Sequence, residues 1–209
     1  MINVFRNNEV FTLSAIWENK MSNESTKPAI GYLIGDRVVL DSDVGFEFFK
    51  KHFYGNPIGI QKAKRIRYPK PYILDFFEAV YLCEKGVLKV IKNGKELSLE
   101  ELKEIAEREI PHFLYKYYIY KDLREKGYVL RSGLKYGSEW LAYLYGPDVE
   151  HALFVIKVLD PNKKILGCDL VGTGRLAHSV RKRIALAFVR KDKNGKPIVR
   201  YYIFSWFKI

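Results

Sequence analysis

Gly127 divides this chain into two kinds of pattern, and the pattern that follows it admits few folds. Before it, Phe113 to Lys126 reads as a helix that the glycine stops. After it come short apolar runs at 128–131, 140–145, 152–158, 184–189 and 198–207, with turn signals such as Asn194-Gly195 between them. Runs of this length bounded by Gly, Pro and Asn read as strands. A short helical stretch around Leu176 to Val180 interrupts them. Strands with one or two flanking helices make a mixed sheet, so this part is expected to be α/β.

The residues before Phe113 suggest a smaller unit of the same class. Ile30 to Asp41 gives two apolar runs around Gly35-Asp36, a hairpin signal. Gly45 to His52 reads as a short helix, and 62–70 as a basic loop ending near Pro69 and Pro71. Tyr72 to Lys85 has apolar residues at 73, 74, 76, 77, 80 and 81, a helical stripe, with Gly86 where a C-terminal cap belongs. Val87 to Ile91 is a strand and Asn93-Gly94 a turn. Ser98 and Glu101 form a capping box that opens a helix ending at Pro111. The expected organisation is an extension over 1–28, an N-terminal α/β domain over 29–111 and a C-terminal mixed-sheet domain over 112–209. The tyrosines of the 113–126 helix (115, 117, 118 and 120) read as packing residues rather than a stacking platform for bases, which more often sits on a sheet.

Composition narrows the partners. The 209 residues are 48% hydrophobic and 15% aromatic, a globular balance. The net charge of +12 favours a polyanion such as nucleic acid, the alternative being a solubilising surface. Cys83 and Cys168 are too few and too far apart for a zinc site and are expected to be reduced. No apolar run approaches the ~20 residues of a spanning helix, and the first residues do not read as a signal peptide, so a cytoplasmic protein without membrane contact is expected.

Three side chains in the C-terminal part suggest a chemistry. Tyr143 opens an isolated Tyr-x-x-Gly that ends at Gly146, His151 opens the next apolar run, and Lys182 lies in Arg175-Leu-Ala-His-Ser-Val-Arg-Lys-Arg183. A phenol, an imidazole and an ammonium are the groups needed to cleave RNA without a metal. A base takes the proton of a ribose 2′-OH, an acid protonates the departing 5′-oxygen, and a fixed cation steadies the charge on phosphorus. By pattern alone His151 reads equally as functional or structural, and His178 as a core or supporting histidine. His52 and His112 read as surface or capping groups.

Other chemistries fit poorly. A restriction-type Mg²⁺ site needs Pro-Asp followed by Asp/Glu-x-Lys; Pro147-Asp148 and Lys157 are present, but Val155 occupies the place of the second carboxylate. There is no Gly-x-Ser-x-Gly, and Gly172-Thr-Gly174, read as a turn, lacks the Gly-Lys-Ser/Thr of a P-loop. Neither a metal nor a cofactor is expected.

The segments Tyr136-Gly137, Tyr143-Leu-Tyr-Gly146, His151 and Arg175-Leu-Ala-His-Ser-Val-Arg-Lys182 together resemble the catalytic subunit of archaeal tRNA-splicing endonucleases. The likeness extends back through Gly133-Leu-Lys-Tyr-Gly137, Tyr120 to Tyr128, Glu78 to Leu82 and Gly31 to Arg37, so that roughly 30–209 is covered. The resemblance implies that Tyr143, His151 and Lys182 form the catalytic triad. It implies precursor tRNA as substrate, cut at a bulge-helix-bulge to leave a 2′,3′-cyclic phosphate and a 5′-hydroxyl. Tyr143 would be the base, its phenol depressed from ~10 by Lys182 and the basic surface, and His151 the acid. Lys182 would stabilise the phosphorane.

The family also clamps a bulge base between two side chains of the opposing subunit. Arg175 matches the first. Trp206 stands where some members carry Arg, and it reads also as a core tryptophan. The apolar strand 199–207 would pair across a dimer, and the loop 160–169 would dock on another dimer. That loop carries Lys163 and Lys164, which makes it less acidic than the family pattern. A homodimer, a homotetramer and a heterotetramer with a structural subunit all stay open. The alternative role, a non-catalytic RNA-binding subunit of the same complex, predicts loss of a triad residue.

Overall fold

In the computed structural model, residues 27–60, 62–180 and 182–204 are described, and they divide into two compact units whose boundary falls between Tyr117 and Tyr118. Most of the 1–28 extension, and Trp206, lie outside the described residues.

The N-terminal unit is a six-stranded sheet with helices. The strands are β1 (Ala29–Ile34), β2 (Arg37–Leu40), β3 (Asn56–Pro57), β4 (Tyr72–Leu74), β5 (Leu88–Lys92) and β6 (Lys95–Leu97), in the order β3-β4-β2-β1-β5-β6. β1 and β5 are parallel and the other pairs antiparallel. The helices are α1 (Ser42–His52), α2 (Phe76–Glu84) and α3 (Leu99–Glu109). Asn93 and Gly94 both have positive φ (51° and 80°), the type I′ geometry that lets Lys92 pair with Lys95. The expected capping box of α3 is present, with Glu101 N donating to Ser98 Oγ at 3.1 Å and Ser98 N to Glu101 Oε2 at 2.8 Å.

Tyr72 to Lys85 is not the single helix that its stripe suggests. Tyr72–Leu74 pairs with β2 and β3, and the helix starts only at Phe76. A second capping box sets that boundary: Glu78 N donates to Asp75 Oδ1 at 2.8 Å, and Asp75 N to Glu78 Oε2 at 3.1 Å. Glu78 is buried, and its other oxygen accepts from Gly55 N at 3.0 Å. One carboxylate thus ties the start of α2 to the turn before β3.

The C-terminal unit is a five-stranded sheet between helices. Its strands are β7 (Val129–Ser132), β8 (Trp140–Tyr143), β9 (Phe154–Val158), β10 (Arg183–Lys191) and β11 (Pro197–Phe204), in the order β11-β10-β9-β8-β7. β9 and β10 are parallel and the rest antiparallel, which is the expected mixed sheet. From Tyr118 on, α4 (Phe113–Glu125) lies on one face, where the Tyr120 and Trp140 rings are 5.6 Å apart and Tyr201 OH donates to Asp122 at 2.5 Å. Tyr117 and Tyr120 are buried, in keeping with the packing reading, whereas Tyr115 is half-buried and Tyr118 exposed. α5 (Gly167–Val180) covers the other face, where Ala177 packs on Val155, Ile184 and Leu186. Val155 and Ile184 are fully buried, each worth about 1.5–3 kcal/mol.

α5 is much longer than the expected 176–180 stretch. Gly172-Thr-Gly174 lies inside the helix rather than in a turn, and Cys168 sits in its first turn. Each glycine weakens a helix by about 1 kcal/mol relative to alanine, which hides the pattern. Burial of Thr173 and Ala177, four residues apart, shows the helix face that rests on the sheet. The expected docking loop accordingly ends before Gly167, and Asp169 belongs to the helix. Among the described residues, no helix is long and apolar enough to cross a membrane.

Candidate active site

The sheet register brings the expected triad to one end of the C-terminal unit. Ala142 pairs with Phe154, and Phe154 with Arg183, so these three residues form one row across β8, β9 and β10. Tyr143 is the residue after Ala142, Lys182 is the residue before Arg183, and His151 lies three residues before Phe154. All three therefore stand just past the same row. β8 and β10 are two strand spacings apart, about 10 Å.

Each position has a local cause. Tyr143 ends β8 opposite Val129 and is 8% exposed. The segment between Tyr143 and His151 is a short closed loop. Val149 N and Glu150 N both donate to Gly146 O at 3.2 Å, and Tyr145 N donates to Glu150 Oε1 at 2.6 Å. Gly146 has φ 123°, a conformation that favours glycine and explains that residue of the Tyr-x-x-Gly. The loop returns the chain to an exposed His151. Lys182 is half-buried where α5 ends, and its backbone NH donates to Ala177 O at 3.2 Å.

The electrostatics of Tyr143 differ from expectation. Its phenol is not depressed; burial raises it above its ordinary value. The cation that pulls it back is Arg131 on β7 rather than Lys182, while Tyr136 and Glu150 push it further up. Sequence reading missed Arg131. No local pattern pointed to it: only the register of β7 with β8 puts Arg131 and Tyr143 on one face.

Arg175 is exposed on α5. His178 is exposed as well, and not the core histidine considered above. Val155, where a metal nuclease would carry its second carboxylate, is buried in β9 under α5. Among the described residues, no group of three or more His, Cys, Asp and Glu could hold a metal ion.

Comparison with known proteins agrees in both units. Residues 29–103 match the model of the tRNA intron endonuclease N-terminal domain, and residues 113–201 that of the tRNA intron endonuclease catalytic C-terminal domain. The tRNA-splicing endonuclease of Sulfurisphaera tokodaii is 41% identical over 182 residues, covering 86% of this chain and 99% of the relative. Those of Saccharolobus islandicus and Saccharolobus solfataricus are 40% and 39% identical over 180 residues, covering 85% of this chain and 97% of each relative. The two domains, joined in one chain, are those of an endonuclease. The chain belongs to the tRNA intron endonuclease family.

Proposed function

We propose that this chain is the catalytic subunit of a tRNA-splicing endonuclease and cuts precursor tRNA at bulge-helix-bulge exon–intron junctions. The observation that supports this most is that Tyr143, His151 and Lys182 all stand just past one row of the sheet. A structural subunit would have no need of all three.

In this reading a bulge frees the nucleotide from its A-form stack, so that the 2′-oxygen can line up behind phosphorus. Tyr143 takes the 2′-OH proton, the 2′-oxygen bonds to phosphorus, and the bond to the 5′-oxygen breaks. His151 gives its proton to that oxygen. The products are a 2′,3′-cyclic phosphate and a 5′-hydroxyl. Lys182 faces the charge that grows on the phosphoryl oxygens. Burial raises the Tyr143 phenol and so works against the ionised form that takes the proton. Arg175 and Trp206 of an opposing subunit sandwich a bulge base by stacking and cation–π contact. β11 lies at the sheet edge, in position to pair across a homodimer, within a homotetramer or a heterotetramer with a structural subunit.

The test is cleavage of a bulge-helix-bulge RNA by the purified chain in excess EDTA, with the RNA fold confirmed intact. Cyclic phosphate and 5′-hydroxyl ends are expected. Cleavage that needs Mg²⁺ at the chemical step, or that leaves 5′-phosphates, contradicts the reading.

A further inference from the structure

We propose that Arg131 is a positioning residue for cleavage: from β7 its guanidinium supports the negative charge that Tyr143 must carry to take the ribose proton. The proposal rests on Tyr143 being the base. Val129 pairs with Tyr143 and Arg131 with Leu141. Opposed residues share a face and alternate residues return to it, so Arg131 and Tyr143 are diagonal neighbours on the same face. Such neighbours lie about 7–8 Å apart diagonally across the two strands, within reach of a long side chain.

The surroundings make that charge count. Tyr143 is buried and Arg131 half-buried, so solvent screens the pair weakly. The charged and titratable groups around the phenol come from several elements. Arg131 on β7 favours its ionised form, whereas Tyr136 in the turn before β8 and Glu150 in the loop after it oppose that form. Lys182 comes to the same sheet end from the α5–β10 connection, but its ammonium is assigned to the phosphate. Arg131 is left to offset burial and Glu150. A guanidinium suits this role because it stays charged at every working pH.

The test joins substitution with a change in the phenol itself. Arg131→Ala should slow single-turnover cleavage about tenfold or more, part of the ~10²–10⁴ that a general base supplies. RNA affinity should change less than about twofold, and Arg131→Lys should keep most of the rate. Placing 3,5-difluorotyrosine, a more acidic phenol, at position 143 of the Arg131→Ala protein should restore most of the loss. In ¹³C-tyrosine NMR the Tyr143 resonance, assigned with Tyr143→Phe, should titrate at higher pH once Arg131 is gone. If alanine unfolds the β7–β8 hairpin, Arg131→Gln carries the same measurements. An unchanged Tyr143 titration, or a rate loss that difluorotyrosine leaves in place, overturns the proposal. The base assignment fails separately, if Tyr143→Phe cleaves normally and difluorotyrosine has no effect with Arg131 intact; the titration still decides whether Arg131 acts on the phenol.

Discussion

Lys182 donates its backbone NH to the carbonyl of Ala177 at 3.2 Å, and Ala177 is packed on Val155 and Ile184 in the core of the C-terminal unit. The backbone of the proposed phosphate-binding lysine is therefore tied through Ala177 to the centre of the sheet. Lys182→Ala should lower the single-turnover rate about 10²–10³-fold, the scale of losing one preorganised group that stabilises transition-state charge. The melting temperature should stay nearly unchanged. A large loss of stability with normal cleavage in the folded fraction would make Lys182 structural.

The two histidines near the site should behave differently. His151→Ala should slow chemistry by about 10²–10⁴ without loss of RNA affinity, as removal of a general acid does. His178 is exposed on α5, so His178→Ala should alter stability by no more than about 0.5 kcal/mol in a denaturant titration. The opposite pair of results in single-turnover and unfolding experiments would show that the wrong histidine carries the reaction.

Much of this was legible in the residues, and the exceptions have physical causes. The switch at Gly127 marked the mixed sheet, because strand and helix periods differ. The Ser98–Glu101 box marked α3, because its partners lie three residues apart in sequence. The break at Asp75 was harder to read, since Tyr72–Leu74 continues the apolar stripe of the helix while its bonds go to β2 and β3. α5 was shortened by its glycines. At the candidate site, Tyr143, His151 and Lys182 could be named from motifs, but Arg131 comes to the face of Tyr143 only through a strand register that no local pattern reveals.

Glu78 offers a test of the N-terminal unit alone. Its carboxylate serves Asp75 N and Gly55 N from a buried position. Glu78→Ala leaves two backbone donors without this partner, at about 1–3 kcal/mol for each buried group left unsatisfied. Equilibrium unfolding should show a loss in that range or above it. A change below about 0.5 kcal/mol, the level of an ordinary surface substitution, would mean that water replaces the carboxylate.

The two thiols should differ in reactivity. Burial pushes the Cys83 thiol up to about 12, with Glu96 adding to the effect, whereas Cys168 is exposed on α5. Only the thiolate alkylates, and raising a thiol removes it at neutral pH. Brief iodoacetamide treatment of the folded protein should give one adduct by mass spectrometry, at Cys168. Equal labelling of Cys83 would show that α2 opens readily.

The most direct measurement uses an RNA in which sulfur replaces the scissile 5′-oxygen. A thiolate departs without being protonated, so a variant that lacks only the acid should recover on this substrate. With His151 as the acid and Tyr143 as the base, His151→Ala should cleave the sulfur-substituted RNA about as fast as the unaltered protein does, while Tyr143→Phe stays slow. If His151→Ala remains impaired, or if Tyr143→Phe is the variant that recovers, the roles assigned to these two side chains are contradicted.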